Sequence, residues 1–263
     1  MKHANIGIFI PHLGCGNSCS FCNQHAITGK IHAPNREDVI RACETALQTR
    51  GGDSENTEIA FFGGSFTAID KAYMTELLEA AAVYIKAGRF RGIRISTRPD
   101  VIDTTTLQRL KHYGVTAVEL GAQSMVDEGL TKNNRNHNAE HVVAASMLIK
   151  QQGLELGLQM MTGLYGDTDE GAMKTAEMLA ELAPDTIRIY PAIVLKGTRL
   201  EQLFCTGEYK PQGLQEAVSL CAGLLRFFHD ESIPVIRLGL HTVTQEDYVA
   251  GPWHPAFREL CEG

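Results

Sequence analysis

Short apolar runs alternate along this chain with longer amphipathic stretches. Seven of the runs have the β-branched and aromatic character of strands, and they span residues 6–10, 58–62, 92–96, 117–121, 154–161, 186–191 and 234–240. Six stretches carry apolar residues at the three- and four-residue spacing of helices, and they span residues 35–48, 71–88, 105–114, 139–153, 170–184 and 214–231. Several of these end at Gly or Pro, which stop helices.

Strict alternation of strand and helix predicts parallel βαβ units with right-handed crossovers. Six such units and one further strand fall short of the eight units of a closed barrel. We therefore predict an α/β fold, a partial (β/α)6 TIM-like barrel with an additional strand near its open edge. The barrel is expected to occupy residues 1–240, and residues 241–263 are expected to form a loop and a short helix. In such barrels the chemistry takes place at the C-terminal ends of the strands.

Composition and charge narrow the classes of partner. The chain has 263 residues and a formal net charge of −7, and its 24 Lys and Arg are dispersed without a dense cluster. This disfavours a tRNA-sized partner and favours a small or medium organic substrate. No apolar run reaches the roughly 18 residues of a membrane span, and the first is too short for a signal peptide. We expect a cytoplasmic enzyme with no membrane partner.

A cysteine-rich loop follows the first predicted strand. The segment "LGCGNSCSFCNQHAITG", residues 13–29, spaces Cys15, Cys19 and Cys22 as C-x3-C-x2-C. Short spacing lets one loop wrap three thiolates around an iron–sulfur cluster. A cubane needs four ligands, so three cysteines leave one iron open to another molecule. The alternative is a Cys3His zinc site with His25 or His12, although structural zinc ligands usually come in two separated pairs.

The spacing of these cysteines, with an aromatic residue before the third, resembles the signature of the radical S-adenosylmethionine (radical SAM) superfamily. The resemblance implies a [4Fe–4S] cluster whose open iron chelates S-adenosylmethionine, and reductive cleavage to a 5′-deoxyadenosyl radical. The stretch "FFGGSFT", residues 61–67, then resembles the Gly-Gly element of that superfamily. It implies that Gly63, Gly64 and Ser65 hold the methionine amino group.

Later strand ends resemble two radical SAM proteins, the elongator catalytic subunit and the oxygen-independent coproporphyrinogen dehydrogenase. The segments concerned are "ISTRPD" (95–100), "ELGAQSM" (119–125), "NNRNH" (133–137) and "IYPAIVLKGTRLEQLFCTGEY" (189–209). The resemblance implies that Gln123 and Arg135 contact the ribose and carboxylate of S-adenosylmethionine. It also assigns the following residues to the cofactor site: Phe9, Phe21, Ser96 and Gln159. Ser96 stands where these relatives usually have Glu.

Substrate contacts are expected near the C-terminal end of the barrel. The candidates are Lys196 near the sixth strand end, His241 after the last strand, and Tyr248, Trp253 and His254 in the tail. A solvated lysine and a packed terminal segment are the structural alternatives.

Three substrate classes fit this chemistry. The first is a modified nucleobase such as a queuine-like deazapurine, which suits the net charge. The second is a tRNA uridine, and the third is a tetrapyrrole. The expected electron donor is a flavodoxin or ferredoxin. A non-enzymatic zinc protein is the rival from a different class.

Overall fold

The computed structural model describes residues 4–11, 13–15, 19–28, 32–50, 56–240, 243–244 and 246–263, with only the backbone of His25, Thr28 and Arg50. Within these residues the chain forms a seven-stranded parallel sheet in the order β1-β2-β3-β4-β5-β6-β8. Its strands are β1 (Ala4–Ile10), β2 (Thr57–Gly63), β3 (Gly92–Thr97), β4 (Val115–Gln123), β5 (Glu155–Thr162), β6 (Thr186–Pro191) and β8 (Val235–Leu238). The predicted partial barrel is confirmed.

Helices connect the strands and cover the outer face of the sheet. They are α1 (Gln24–Thr28), α2 (Arg36–Arg50), α3 (Lys71–Lys86), α4 (Thr104–His112), α5 (Asp127–Lys132), α6 (Ala139–Gln151), α7 (Asp169–Glu181), α8 (Arg199–Cys205), α9 (Leu214–Asp230) and α10 (Phe257–Glu262). All six helices predicted from periodicity are present. None of the helices in the described residues is long and apolar enough to cross a lipid bilayer.

Side chains alternate between the two faces of the sheet. On β3, Ile93 and Ile95 lie in the hydrophobic core and are fully buried. Arg94 lies between them and pairs with Glu58 of β2 and Glu119 of β4 across the other face. Since side chains alternate along a strand, the outer face is apolar and the inner face of the barrel carries charge.

Several helices begin with side-chain caps in the loops that follow the strands. Asp70 accepts from the first backbone N–H groups of α3, Asp103 from Thr106 in α4, and Thr168 from Gly171 in α7. Such caps satisfy amides that have no partner within the helix. They fix the loops at the C-terminal end of the barrel, where the candidate site lies.

Five short elements are absent from the prediction. Helices α1, α5 and α8 have five, six and seven residues, which is too short for a helical period to be seen. Strands β7 (Val194–Leu195) and β9 (Tyr248–Ala250) form a separate antiparallel pair. The tail beyond residue 240 therefore contributes a strand as well as the predicted terminal helix α10. The domain boundary at residue 240 stays a prediction.

Candidate active site

The three cysteines lie in the loop that leaves β1. Cys15, Cys19 and Cys22 are all partly exposed and none forms a disulfide. Burial, followed by the neighbouring Cys19 and Cys15, raises the pKa of Cys22 to about 12. The backbone also joins two of these residues, since the Cys22 amide donates to the Cys19 carbonyl at 3.1 Å. Residues 16–18 of this loop lie outside the described residues.

The cysteine loop packs directly on the Gly-Gly element at the end of β2. The Gly64 amide donates to the Ile10 carbonyl at 2.7 Å, and the Ser65 amide donates to the Leu13 carbonyl at 3.0 Å. A Cβ at Gly64 would lie 2.0 Å from the Leu13 carbonyl oxygen, and one at Gly14 would lie 2.2 Å from that of Ser65. Only glycine permits this approach. Ser65 is buried, and its Oγ lies 3.8 Å from the Cys15 Sγ.

A second set of contacts joins the cysteine loop to the loops after β4 and β5. Ser20, between the second and third cysteines, donates to the Asn133 side-chain oxygen at 2.5 Å, and its amide donates to the Asn133 carbonyl at 3.1 Å. The Asn133 side-chain amide in turn donates to the carbonyls of Gly129 and Tyr165, each at 2.8 Å. Asn133 is fully buried. It therefore fixes the cysteine loop to the adjacent strand ends.

Arg135 lies beside the cysteines, and the side chains of Arg135 and Gln123 both lie next to Gly121. The Arg135 guanidinium donates to the Cys19 Sγ at 2.9 Å and to the Gly121 carbonyl at 2.7 Å. Gln123 ends β4 in the left-handed region, with φ 66°, after an irregularity in the pairing with β5. Within the described residues, the Gln123 Oε1 and the Arg135 Nε are buried without a hydrogen-bond partner. Buried polar atoms of this kind and a strained backbone are typical of ligand sites.

Ser96 and Gln159 belong to a polar layer inside the barrel. The Gln159 side-chain amide donates to Glu119 at 2.8 Å and to the Ser96 Oγ at 3.4 Å. Glu119 is buried and also accepts from Arg188 at 2.8 Å. The Glu119 carboxylate on β4 thus lies 3.4 Å from the Ser96 Oγ on β3.

The two predicted aromatic residues line different parts of this region. The ring of Phe9 lies 6.2 Å from that of Phe62, between centroids, at the C-terminal end of β1 and β2. Phe21 is partly buried and packs against two small apolar clusters, one that includes Leu200 and one that includes Leu164. Phe9 lies at the end of β1, where the cysteine loop begins, and Phe21 lies within that loop.

The structure brings three of the candidate substrate contacts to one side of the barrel. Lys196 is exposed directly after β7, which pairs with β9 through Leu195 and Tyr248. The Tyr248 ring lies 6.2 Å from Trp253, whose indole N–H is buried and has no partner in the described chain. The Lys196 carbonyl accepts from the Asn23 side chain at 2.8 Å, which joins this side to the cysteine loop.

His254 follows Trp253 and lines the same small cavity. The His254 Nδ1 accepts from the Ala256 amide at 3.1 Å, which is a contact within the terminal segment. His241 lies outside the described residues, as do His12 and the side chain of His25, the two predicted zinc ligands. Among the described residues, no three His, Cys, Asp or Glu side chains are spaced to hold a single metal ion.

Several residues of the site are missing from the sequence prediction. Asn133 and Ser20 gave no signal because they act through contacts between distant segments. Arg94, Glu119 and Arg188 did give one, since charged residues stand in the middle of otherwise apolar strands. Charges at such positions are buried only when paired, so they predict a polar barrel interior.

Comparisons with known proteins agree with this geometry. The Radical SAM superfamily model matches residues 9–179, and the Radical_SAM C-terminal domain model matches residues 184–263. A tRNA uridine(34) acetyltransferase of Dehalococcoides mccartyi is 28% identical and covers 78% of this chain and 52% of its own length. Elongator complex protein 3 of Saccharomyces cerevisiae is 27% identical, covering 82% of this chain and 46% of its own length. This chain therefore spans about half the length of these relatives.

Solved structures show the same fold. Elp3 of Methanocaldococcus infernus, lacking its N-terminus, superposes with a TM-score of 0.77 at 22% identity, over 99% of this chain and 62% of that one. Coproporphyrinogen III oxidase (HemN) of Escherichia coli gives a TM-score of 0.57 at 19% identity, over 88% and 53% of the two chains. Because the superfamily model matches residues 9–179 of the 263, the chain belongs to the radical SAM superfamily and is an enzyme that uses a [4Fe–4S] cluster and S-adenosylmethionine, not a zinc protein.

Proposed function

We propose that this radical SAM enzyme acts on a nucleobase carried by a tRNA. The observation that carries the proposal is the relationship to tRNA uridine(34) acetyltransferase, which is 28% identical and covers 78% of this chain. The proposal takes the tRNA alternative of the sequence analysis ahead of the free nucleobase. It concerns the radical reaction only, since this chain spans about half of that relative.

The residues of the site fit the cofactors of the superfamily. Three free thiols lie in one loop, in which the Cys22 amide donates to the Cys19 carbonyl, and glycines at two contacts of the loop leave no room for a Cβ. We assign the cluster to Cys15, Cys19 and Cys22. Arg135 donates to the Cys19 Sγ at 2.9 Å, and within the described residues its Nε and the Gln123 Oε1 are buried without a hydrogen-bond partner, which suits a polar ligand.

The remaining assignments to S-adenosylmethionine follow from position. Gly63, Gly64 and Ser65 pack against the cysteine loop, with the Ser65 Oγ 3.8 Å from the Cys15 Sγ, and we assign them to the methionine amino group. Ser96 and Gln159 lie in the polar layer around Glu119, so Glu119 is the better candidate for a ribose hydroxyl. The rings of Phe9 and Phe21 would enclose apolar parts of the ligand.

When bound, the reduced cluster and S-adenosylmethionine would supply a 5′-deoxyadenosyl radical that removes a hydrogen atom from the substrate. A flavodoxin or ferredoxin would supply the electron that reduces the cluster. The protein positions the substrate and excludes water. In the proposed arrangement the strand-end loops tied by Asn133 hold the cysteines rigid, while Lys196, Tyr248 and Trp253 stand at the side where the substrate enters. These contacts remain proposals for this chain.

A free nucleobase or nucleoside is the second candidate substrate. The net charge of −7, with dispersed Lys and Arg, favours it because tRNA-binding surfaces usually concentrate basic residues. A queuine-like deazapurine belongs to this class. The likeness to HemN is at 19% identity and shows the fold alone, so it does not support a tetrapyrrole.

The test is production of 5′-deoxyadenosine by the anaerobically reconstituted protein with S-adenosylmethionine and dithionite. We expect bulk tRNA to stimulate it several-fold, and Cys19→Ala to abolish it. Cys205→Ala is the matched control, since Cys205 is an exposed thiol at the last residue of α8 and is not one of the three clustered cysteines.

The same assay separates the two substrate classes. Stimulation by intact tRNA but not by its nuclease digest supports the tRNA proposal. Stimulation by the digest or by free nucleosides alone would replace it with the second candidate. Full activity in Cys19→Ala would refute the cluster assignment.

A further inference from the structure

The inner face of the last two strands carries a pair of arginines. Arg188 of β6 and Arg237 of β8 are register partners, so their side chains share one face of the sheet. Contacts of Arg188 with Glu119 and with the Phe62 ring, 5.0 Å from its centroid, show that this is the inner face. Arg237 is the penultimate residue of β8, close to the C-terminal end of the barrel.

The two arginines differ in their counter-ions. Arg188 is neutralised by Glu119 at 2.8 Å. Arg237 donates its Nε to the Gly239 carbonyl at 3.1 Å, and within the described part of the chain no carboxylate forms an ion pair with it. Burial, and then the nearby Arg188 and Arg258, lower the pKa of Arg237 against the opposing influence of Tyr190. A partly buried cation beside like charges is unfavourable unless an anion joins it.

Tyr190 completes this group. It lies on the same face as Arg188, two residues nearer the C-terminal end of β6, and is partly buried. Its pKa is raised above the ordinary value, chiefly by burial and against the effect of Arg188, so the phenol keeps its proton. A neutral hydroxyl next to the guanidinium groups can donate to an anion.

This group lies level with the candidate cofactor site. Arg188 on β6 is the register partner of Gln159 on β5 on one side and of Arg237 on β8 on the other. Gln159 shares the polar layer with Ser96. An anion on Arg237 would therefore be anchored inside the barrel, on the side away from β5, at the depth where the reacting part of a substrate is expected.

We propose that Arg237 and the Tyr190 hydroxyl bind a phosphate group of the substrate nucleotide. The proposal rests on the proposed function in one respect, that the substrate carries a nucleobase. A guanidinium presents a planar fork of N–H groups that matches phosphate oxygens, and here it has no carboxylate to compete. The phosphate belongs either to a free nucleotide or to the backbone of a polynucleotide.

The experiment measures the binding of three probes to the holoenzyme by titration calorimetry. Uridine has no phosphate, uridine 5′-monophosphate has a terminal one, and the dinucleoside monophosphate UpU has a backbone one. We expect at least one phosphate-bearing probe to bind about 10-fold or more tightly than uridine, the gain of a charge-assisted contact. Preference for the monophosphate identifies a free nucleotide, and preference for UpU identifies a polynucleotide.

Variants then locate the phosphate. Arg237→Gln should remove the advantage of the phosphate and leave uridine binding unchanged, and Arg237→Lys should retain part of it. Arg226→Gln is the matched control because Arg226 is exposed on α9, and it should bind like the parent. Equal binding of all three probes, binding of none, or an advantage that survives Arg237→Gln would overturn the proposal.

A measurement on the unsubstituted protein covers the case in which Arg237→Gln does not fold. Phenylglyoxal modification of Arg237, followed by mass spectrometry, should be slowed by the preferred phosphate probe and not by uridine. Equal rates with and without that probe would refute the site. These binding readouts need no turnover, so a failure to form 5′-deoxyadenosine would count against the proposed function and leave the phosphate site standing.

Discussion

Replacing Glu119 with Gln should strongly destabilise the protein. Glu119 lies on the inner face of β4 and is 1% exposed. It pairs with Arg188 at 2.8 Å and Arg94 at 3.5 Å, and it accepts from Gln159 at 2.8 Å. The substitution keeps the size of the side chain and removes its charge.

The size of the destabilisation follows from the ion pairs that remain after the substitution. Arg94 keeps two other carboxylates, Glu58 at 2.7 Å and Glu155 at 3.0 Å. Arg188 is 13% exposed and keeps no carboxylate in the described chain. Breaking a buried pair by removing one partner leaves an uncompensated charge and costs about 3–5 kcal/mol. We expect Glu119→Gln to lower the free energy of unfolding by about that amount.

The assay is anaerobic urea denaturation followed by circular dichroism, with linear extrapolation to water. Glu128→Gln is the control, because Glu128 pairs with Lys132 on the surface, and its curve should overlay that of the parent. The double variant Glu119→Gln with Arg188→Met should lose less than the sum of the single losses, since it leaves no unpaired charge. A loss below about 1 kcal/mol in Glu119→Gln would refute the view that the barrel interior depends on charge balance.

Two further predictions concern the site. Gly64→Ala should lower the iron and sulfide bound on reconstitution to half or less, because its Cβ would meet the Leu13 carbonyl oxygen at 2.0 Å. Gly223→Ala is the control and should bind the full amount, since no atom lies within 4 Å of its new Cβ. Equal iron in both variants would contradict the close approach. Burial, then Arg135, lowers the pKa of His137 to about 4, so the folded state keeps the ring neutral. As the pH falls from 6.5 to 5, the unfolded chain takes up this proton before the folded protein does. The free energy of unfolding of the parent should therefore fall by about 2 kcal/mol, a loss that His137→Gln does not show. Identical pH dependence of the urea midpoints in the two proteins would show that His137 is not the group responsible.

Local pattern was sufficient for the framework of the fold. All seven strands of the parallel sheet are predictable because each lies in an apolar run of β-branched and aromatic character, and six of the helices because each is long enough to show the 3.6-residue period. The pair β7 and β9 was not predictable, because strands of two and three residues carry no pattern. Their pairing also joins segments on either side of α8 and α9. The cysteine spacing was readable for the same local reason, as all three thiols lie within eight positions.

The site around the cysteines depends on distant contacts. The hydrogen bond between Ser20 and Asn133 joins residues 113 positions apart, and that between Arg188 and Glu119 joins residues 69 positions apart. Single-residue identity cannot reveal such partners, because Ser and Asn are common in loops and gain a role only from what faces them. Charged residues within otherwise apolar strands carry a signal for a polar interior, which the sequence analysis did not use.

The sequence by itself determined the alternation of strand and helix, the cysteine loop and the superfamily, because each is encoded in residues that are neighbours along the chain. Only the tertiary structure decided which charges neutralise one another and that Arg237, unlike Arg188, has no carboxylate partner among the described residues. The physical reason is that electrostatic pairing depends on distance in space, and the curvature of the sheet sets that distance by bringing residues from separate strands onto one inner face.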